Sequence, residues 1–122
     1  MSQRLEGYLR RAHRALATAR IDLDAGDSNA SANRSYYAAF YAVTAALLSQ
    51  DIEAKTHAGL HTQFALTFVK PGVLPPALST QLSHVERLRC FADYFETDVP
   101  EAMAEEAIAM ADGPAVGRIS AA

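Results

Sequence analysis

The nine residues Asn33-Arg34-Ser35-Tyr36-Tyr37-Ala38-Ala39-Phe40-Tyr41 constrain this chain more than any other stretch. They hold four aromatics, an arginine and an asparagine, with no Gly or Pro. At helical spacing Tyr36 leads to Phe40, Val43 and Leu47, and Tyr37 leads to Tyr41, Thr44 and Leu48 on the adjoining stripe. Two adjoining apolar stripes make a face broader than the ~100° of a surface helix. This helix is therefore predicted at the centre of a bundle, with Tyr37 and Phe40 largely inaccessible to solvent. Three phenolic hydroxyls and a guanidinium need partners once buried. Two arrangements supply them: an aromatic core whose polar tips reach solvent, or a polar seam able to take a nucleotide or phosphate.

The remaining segments read as helices around this one. Leu5, Tyr8, Leu9, Ala12, Leu16, Ala19 and Leu23 recur at steps of three and four, predicting a helix over about 2–25 that stops at Gly26. Asp27 or Ser28 caps the central helix, about 29–50. After a polar connection, Thr56 is the candidate N-cap of a third helix carrying Leu60, Phe64 and Phe68 and ending at Lys70-Pro71-Gly72. Pro75-Pro76 suit the first turn of a fourth helix, about 77–96, with Leu78, Leu82, Val85, Leu88 or Arg89, and Ala92 inward. Asp98 with Glu101 reads as a variant capping box for a fifth helix, about 99–112, broken by Gly113-Pro114. The tail 115–122 is expected to fray or to make one further short turn. No strand alternation and no repeat occurs, so the fold class is all-α, in one domain spanning 1–122.

No stretch approaches the ~20 apolar residues of a membrane span, and no signal-peptide pattern opens the sequence. Cys90 stands alone, which fits a reducing cytoplasm and excludes an internal disulfide. A net charge of −3 argues against a general nucleic-acid-coating protein. The charge is unevenly placed, however. In residues 1–20, Arg4, Arg10, Arg11, Arg14 and Arg20 stand against Glu6 alone, and residues 96–112 carry six carboxylates and no base. Either the basic first helix lies beside the acidic last one, or it offers arginines to a partner.

Three groupings bear on chemistry. His57 and His61, four apart, could face one metal, but no third ligand is in reach, so neither a metal nor a cofactor is expected. Arg89 and Asp93 can pair along the fourth helix. Cys90, beside Leu88 and Phe91, reads as packing rather than as a nucleophile. Phosphate-cradling glycine loops are absent.

Three pieces stand in fixed order: Asn33-Arg34-x-Tyr36-Tyr37-Ala38-x-Phe40, then Lys55-Thr56-His57-x-Gly59, then Arg89-x-x-Ala92-Asp93-Tyr94. Together they resemble the HEPN domains (higher eukaryotes and prokaryotes nucleotide-binding), in particular their small stand-alone prokaryotic branch. The resemblance runs from Leu5 to about residue 112. It implies an up-and-down four-helix bundle with a short fifth helix, usually homodimeric. It also implies a toxin–antitoxin-like pairing with a minimal nucleotidyltransferase. Many HEPN domains are metal-independent RNases whose site carries an arginine followed four to six residues later by a histidine.

In this chain no histidine follows Arg89, and Tyr94 stands where one would be wanted. A phenol, with a pKa near ~10, is a weak base at neutral pH. Three readings result. The first is a nucleotide- or RNA-binding protein whose ligand-binding residues are Asn33, Arg34, Lys55, His57, Arg89 and Asp93. The second is an RNase in which His57 replaces the absent imidazole, making Arg89, Tyr94 and His57 the catalytic candidates. The third is a structural helical dimer that docks a protein partner through its basic first helix.

Overall fold

The hinge of the fold is written at Gly26. In the computed structural model, which describes residues 3–121, α1 (Gln3–Asp24) ends in a Schellman turn. Gly26 takes φ +86°, its N–H donates to the Leu23 carbonyl at 3.0 Å, and the Asp27 N–H reaches the Asp22 carbonyl at 2.8 Å. Glycine adopts that left-handed backbone without a Cβ penalty. Asp27, rather than Ser28, then caps α2 (Ser28–Leu48), its Oδ1 accepting the Ala30 N–H at 3.0 Å. So short a connection makes α1 and α2 antiparallel neighbours. The expected start of the first helix at residue 2, and the last residue of the tail, lie outside the described residues.

α2 is central, as its double stripe predicts: it packs against every other helix. Which of its residues are deepest was not as expected. Ser31, Ala32, Ser35, Ala38, Ala39, Ala42 and Ala45 are at most 1% exposed. α1 contributes Ala12, Ala15 and Ala19, also buried, and Ser31 Oγ donates to the Ala19 carbonyl at 2.8 Å. Small faces let helix axes approach closely, and that leaves no room for rings between them. Tyr36, Val43 and Leu47 are buried, but Tyr37 and Phe40 are only half-buried, correcting the expectation that both would be largely inaccessible. The rings occupy the edge of α2 that meets α3, where the Phe40 and His57 rings lie 4.7 Å apart.

α3 (His57–Phe64) starts at the predicted cap: Thr56 Oγ1 accepts the Gly59 N–H at 2.9 Å. It then widens into a π-helical turn, Ala65–Val69. A Cβ on Gly59 would lie 2.9 Å from that same Oγ1. Gly→Ala inside a helix ordinarily stabilises by ~1 kcal/mol. Here Gly59→Ala is expected to destabilise, because the methyl displaces the cap, itself worth ~1 kcal/mol. In a Thr56→Ala background the same change is expected to be neutral or stabilising, and urea midpoints of the four proteins measure that reversal.

α4 (Ala77–Tyr94) buries Leu78, Leu82, Val85 and Leu88 as the periodicity requires. α5 (Glu101–Met110) does not begin with the expected capping box. Asp98 instead accepts from Asn29 Nδ2 at 2.8 Å, and Asn29 Oδ1 accepts the Val99 N–H at 2.8 Å. The start of α5 is thus clipped by the first turn of α2, a contact across 70 residues of chain. Gly113-Pro114 does not break the helical path either. Residues 111–117 form a π-helical turn, and α6 (Arg118–Ala121) adds one more. A widened turn is one way a helix absorbs a position without an N–H donor. Val116 and Ile119 of this tail are buried in the core.

The fold is all-α, a helical bundle with a short fifth helix and no strand among the described residues. One apolar cluster joins α1, α2, α3, the start of α4 and the tail; a second joins Ala32 and Tyr36 to Val85, Leu88, Val99, Ala104 and Ala107. No described helix is long and apolar enough to cross a membrane. Neutralisation of the basic α1 by the acidic last helix is limited to one bridge among the described residues, Arg20 to Asp112 at 2.7 Å. Arg4 pairs with Glu53 at 2.6 Å instead.

Candidate functional site

α3 and α4 each bring one residue from their sequence pieces onto Tyr36 of α2. The Arg89 guanidinium lies 5.0 Å from the centroid of the Tyr36 ring, a cation–π distance. The Tyr36 hydroxyl stands 3.0 Å from His57 Nδ1, and the two rings stack at 5.6 Å. Arg89 also bonds Asp93 Oδ2 through Nη1 at 3.1 Å and Cys90 Sγ through Nη2 at 3.3 Å. Its Nε is buried without a partner. Asn33 Nδ2 approaches both Asp93 oxygens at 3.4 Å, while Asn33 Oδ1 accepts from Arg34 Nε and Nη2 at 3.2 and 2.9 Å. Arg34 in turn covers the Tyr37 ring at 5.0 Å. One continuous network thus runs Arg34, Asn33, Asp93, Arg89, Tyr36, His57.

Burial separates the two arginines. The Arg89 side chain is 12% exposed and its Asp93 partner 33%. Arg34 is half-buried and has donors to spare beyond the two held by Asn33. Burial, and then the nearby Glu86 charge, push the Tyr36 hydroxyl well above the ordinary phenol range, against the opposing pull of Arg89. Tyr36 therefore stays a phenol at physiological pH. When it donates to Nδ1, the neutral His57 ring carries its proton on Nε2, so Nε2 is the atom left to act on a ligand.

His57 and His61 take different partners. His61 Nε2 sits 2.8 Å from Glu86 Oε2 rather than beside His57's partner. The described residues contain no group of three or more potential metal ligands. Burial holds the His61 pKa below its usual value and outweighs the opposing Glu86 charge. A histidine with a lowered native pKa contributes stability above its unfolded pKa of ~6.5 and loses it as the pH falls toward the native value. The urea midpoint is expected to decline through that window, and His61→Gln is expected to flatten the decline. Equal slopes in both proteins would leave the acid sensitivity to other groups.

Of the other sequence candidates, Lys55 is exposed in the turn before α3 and joins none of these contacts. Tyr94 is 77% exposed and also stands apart from the network. Phe95 and Met103 are exposed beyond it, at 63% and 43%. Sequence reasoning passed over Tyr36 as the bridge. The signal was there, since Tyr36 is the one phenol on the stripe with Val43 and Leu47, but one face cannot tell which side chain from another helix will arrive. The Sγ of Cys90 as an acceptor for Arg89 was also missed. The largest cavity described, about 310 Å³ and lined by residues such as Leu5, Leu9, Phe68 and Leu74, is apolar and shares no residue with the network.

The HEPN domain family model matches residues 5–113. A protein of Gloeobacter violaceus named as a UPF0332 protein is 36% identical over 94 residues, covering 77% of this chain and 75% of that protein. Two proteins of Methanocaldococcus jannaschii are named "Putative toxin MJ0605" and "Putative toxin MJ0142". They are 36% and 37% identical over 62% and 53% of this chain, which spans 55% and 44% of their lengths.

Proposed function

The chain belongs to the HEPN domain family, and from that premise we propose that it is the RNA- or nucleotide-binding, toxin-like member of a cytoplasmic two-component pair, working with a minimal nucleotidyltransferase. One observation carries the reading: Tyr36 holds Arg89 on its ring face and His57 on its hydroxyl. A guanidinium and an imidazole from separate motifs thereby meet on one ring, with Arg34 linked to them through Asn33 and Asp93. Arg34, with uncommitted donors, is the outer fork for a phosphate; Arg89 adds positive charge beneath it. Asp93 orients Arg89 and stays off the anion, since like charges repel.

The same observation favours a second reading, a metal-independent RNase in which His57 supplies the absent imidazole. In-line attack by a ribose 2′-hydroxyl needs a group to take its proton, and His57 Nε2 can do so in the tautomer whose Nδ1–H donates to the Tyr36 oxygen. In the other tautomer, with the hydroxyl donating to Nδ1, Nε2–H is an acid for the leaving oxygen. The test is titration of a labelled oligoribonucleotide at low salt, with product analysis in excess chelator. Salt-sensitive binding without cleavage supports the first reading. Cleavage that persists in chelator and is lost in His57→Gln, with binding kept, supports the second. Neither binding nor cleavage overturns both and leaves a structural dimer that docks a protein.

We further propose homodimerisation through the end of α4, where Tyr94 and Phe95 lie exposed next to Asp93. A second copy over this face covers those rings. Light scattering at micromolar concentration is expected to give twice the 13.1 kDa of the chain. A monomer mass removes the proposal.

A further inference from the structure

We propose that the aromatic ladder crossing α1 and α2 is a stacking platform for unpaired bases of single-stranded RNA leading into the polar cluster; this deepens, and rests on, the binding function proposed above. Tyr8 and Tyr41 have ring centroids 6.1 Å apart at a tilt of 35°, and Tyr41 continues to Tyr37 at 6.0 Å. The Arg11 guanidinium lies 5.5 Å from the Tyr8 centroid and 6.0 Å from that of Tyr41. At the other end Arg34 lies 5.0 Å from Tyr37. The order across the surface is cation, three rings, cation, and its far end is the arginine of the network.

Two features set this ladder apart from an ordinary solvated face. Tyr8, Tyr37 and Tyr41 are each half-buried, so part of each ring still meets solvent, and Arg11 is exposed. Among the described residues, none of Arg10, Arg11, Arg14 and Arg34 has a carboxylate partner, in a chain whose net charge is −3. Guanidinium planes lying on rings keep their charge available to phosphate while their faces extend the stack. Every base has a π-face, and in a duplex those faces are hidden within the stack. A row of part-exposed rings flanked by unneutralised arginines therefore suits a single strand and tolerates any sequence.

The test compares three probes against the full chain: a single-stranded oligoadenylate, the same length annealed to its complement, and adenosine monophosphate. The variant carries Tyr8→Leu and Arg11→Gln, both outside the polar cluster, with Tyr41→Phe as a ring-preserving control and thermal melts to establish folding. The single strand is expected to bind wild type and Tyr41→Phe alike and the double variant roughly tenfold or more weakly, with mononucleotide binding unchanged. Equal single-strand binding by wild type and double variant overturns the platform and leaves the cluster's own reading intact, assigning the ladder to a protein-facing role. Equal binding of single strand and duplex by wild type also overturns it. Failure of all three probes on wild type overturns the platform together with the binding function beneath it.

Discussion

Tyr36→Ala is expected to lower the unfolding free energy by ~3–5 kcal/mol, whereas Tyr36→Phe should cost only ~1 kcal/mol. The difference follows from what each change removes. The ring is fully buried against Val85, Leu88, Val99 and Ala107, and α2 is too closely packed around it to collapse into the space. Its loss leaves a cavity and takes the π-face from under Arg89, whose Nε already lacks a partner. Phenylalanine keeps both the volume and the face and deletes only the bond to His57 Nδ1. Urea unfolding of the two variants measures the contrast. A loss below ~1 kcal/mol for the alanine variant would mean that the ring is peripheral to stability. Tyr36→Phe has a second readout: the His57 ring loses its tautomer lock, so a reaction that uses Nε2 should change its pH profile while binding holds.

Arg89→Ala is expected to abolish phosphate binding and to cost about 1–3 kcal/mol. The stability figure lies between those of exposed and buried ion pairs, because Arg89 is nearly sealed while Asp93 is one-third exposed. Removing the arginine leaves Asp93 with only the long 3.4 Å contacts to Asn33. The double change Arg89→Ala with Asp93→Ala separates the two effects by removing the stranded carboxylate. Recovered stability without recovered binding identifies Arg89 as a ligand-facing cation. Recovery of both identifies it as a structural member of the pair and transfers the phosphate role to Arg34 alone. Wild-type affinity should fall as salt rises, as phosphate contacts require.

Local chemistry determined most of the architecture. Gly26, Asp27, Thr56 and Pro75-Pro76 mark helix ends through their own backbone limits and side-chain oxygens, and they do so in the structure, with the bounds shifted by one or two residues. The apolar periodicity of α1 and α4 likewise named most of the buried residues. It missed Ala15 and included Tyr8, Leu9, Leu23 and Ala92, which are only half-buried, because spacing sets the face of a helix and not how deep each position lies. The three short pieces pointed to the family for the same reason: they are read in order along the chain. What sequence did not determine is which neighbour each side chain meets. Beside the fully buried Tyr36 ring, Ala and Ser fill much of the buried surface of α2, because the closeness of two helices depends on both of them. Asp98 leaves its expected capping role for Asn29, a partner 69 residues away that comes near only after α2 and α5 have packed. The site followed the same rule. Arg89 and Asp93 pair at a spacing visible in the sequence, but Tyr36 joins Arg89 to His57 only because the tertiary structure brings three helices to one ring, and no periodicity within a single helix encodes that meeting.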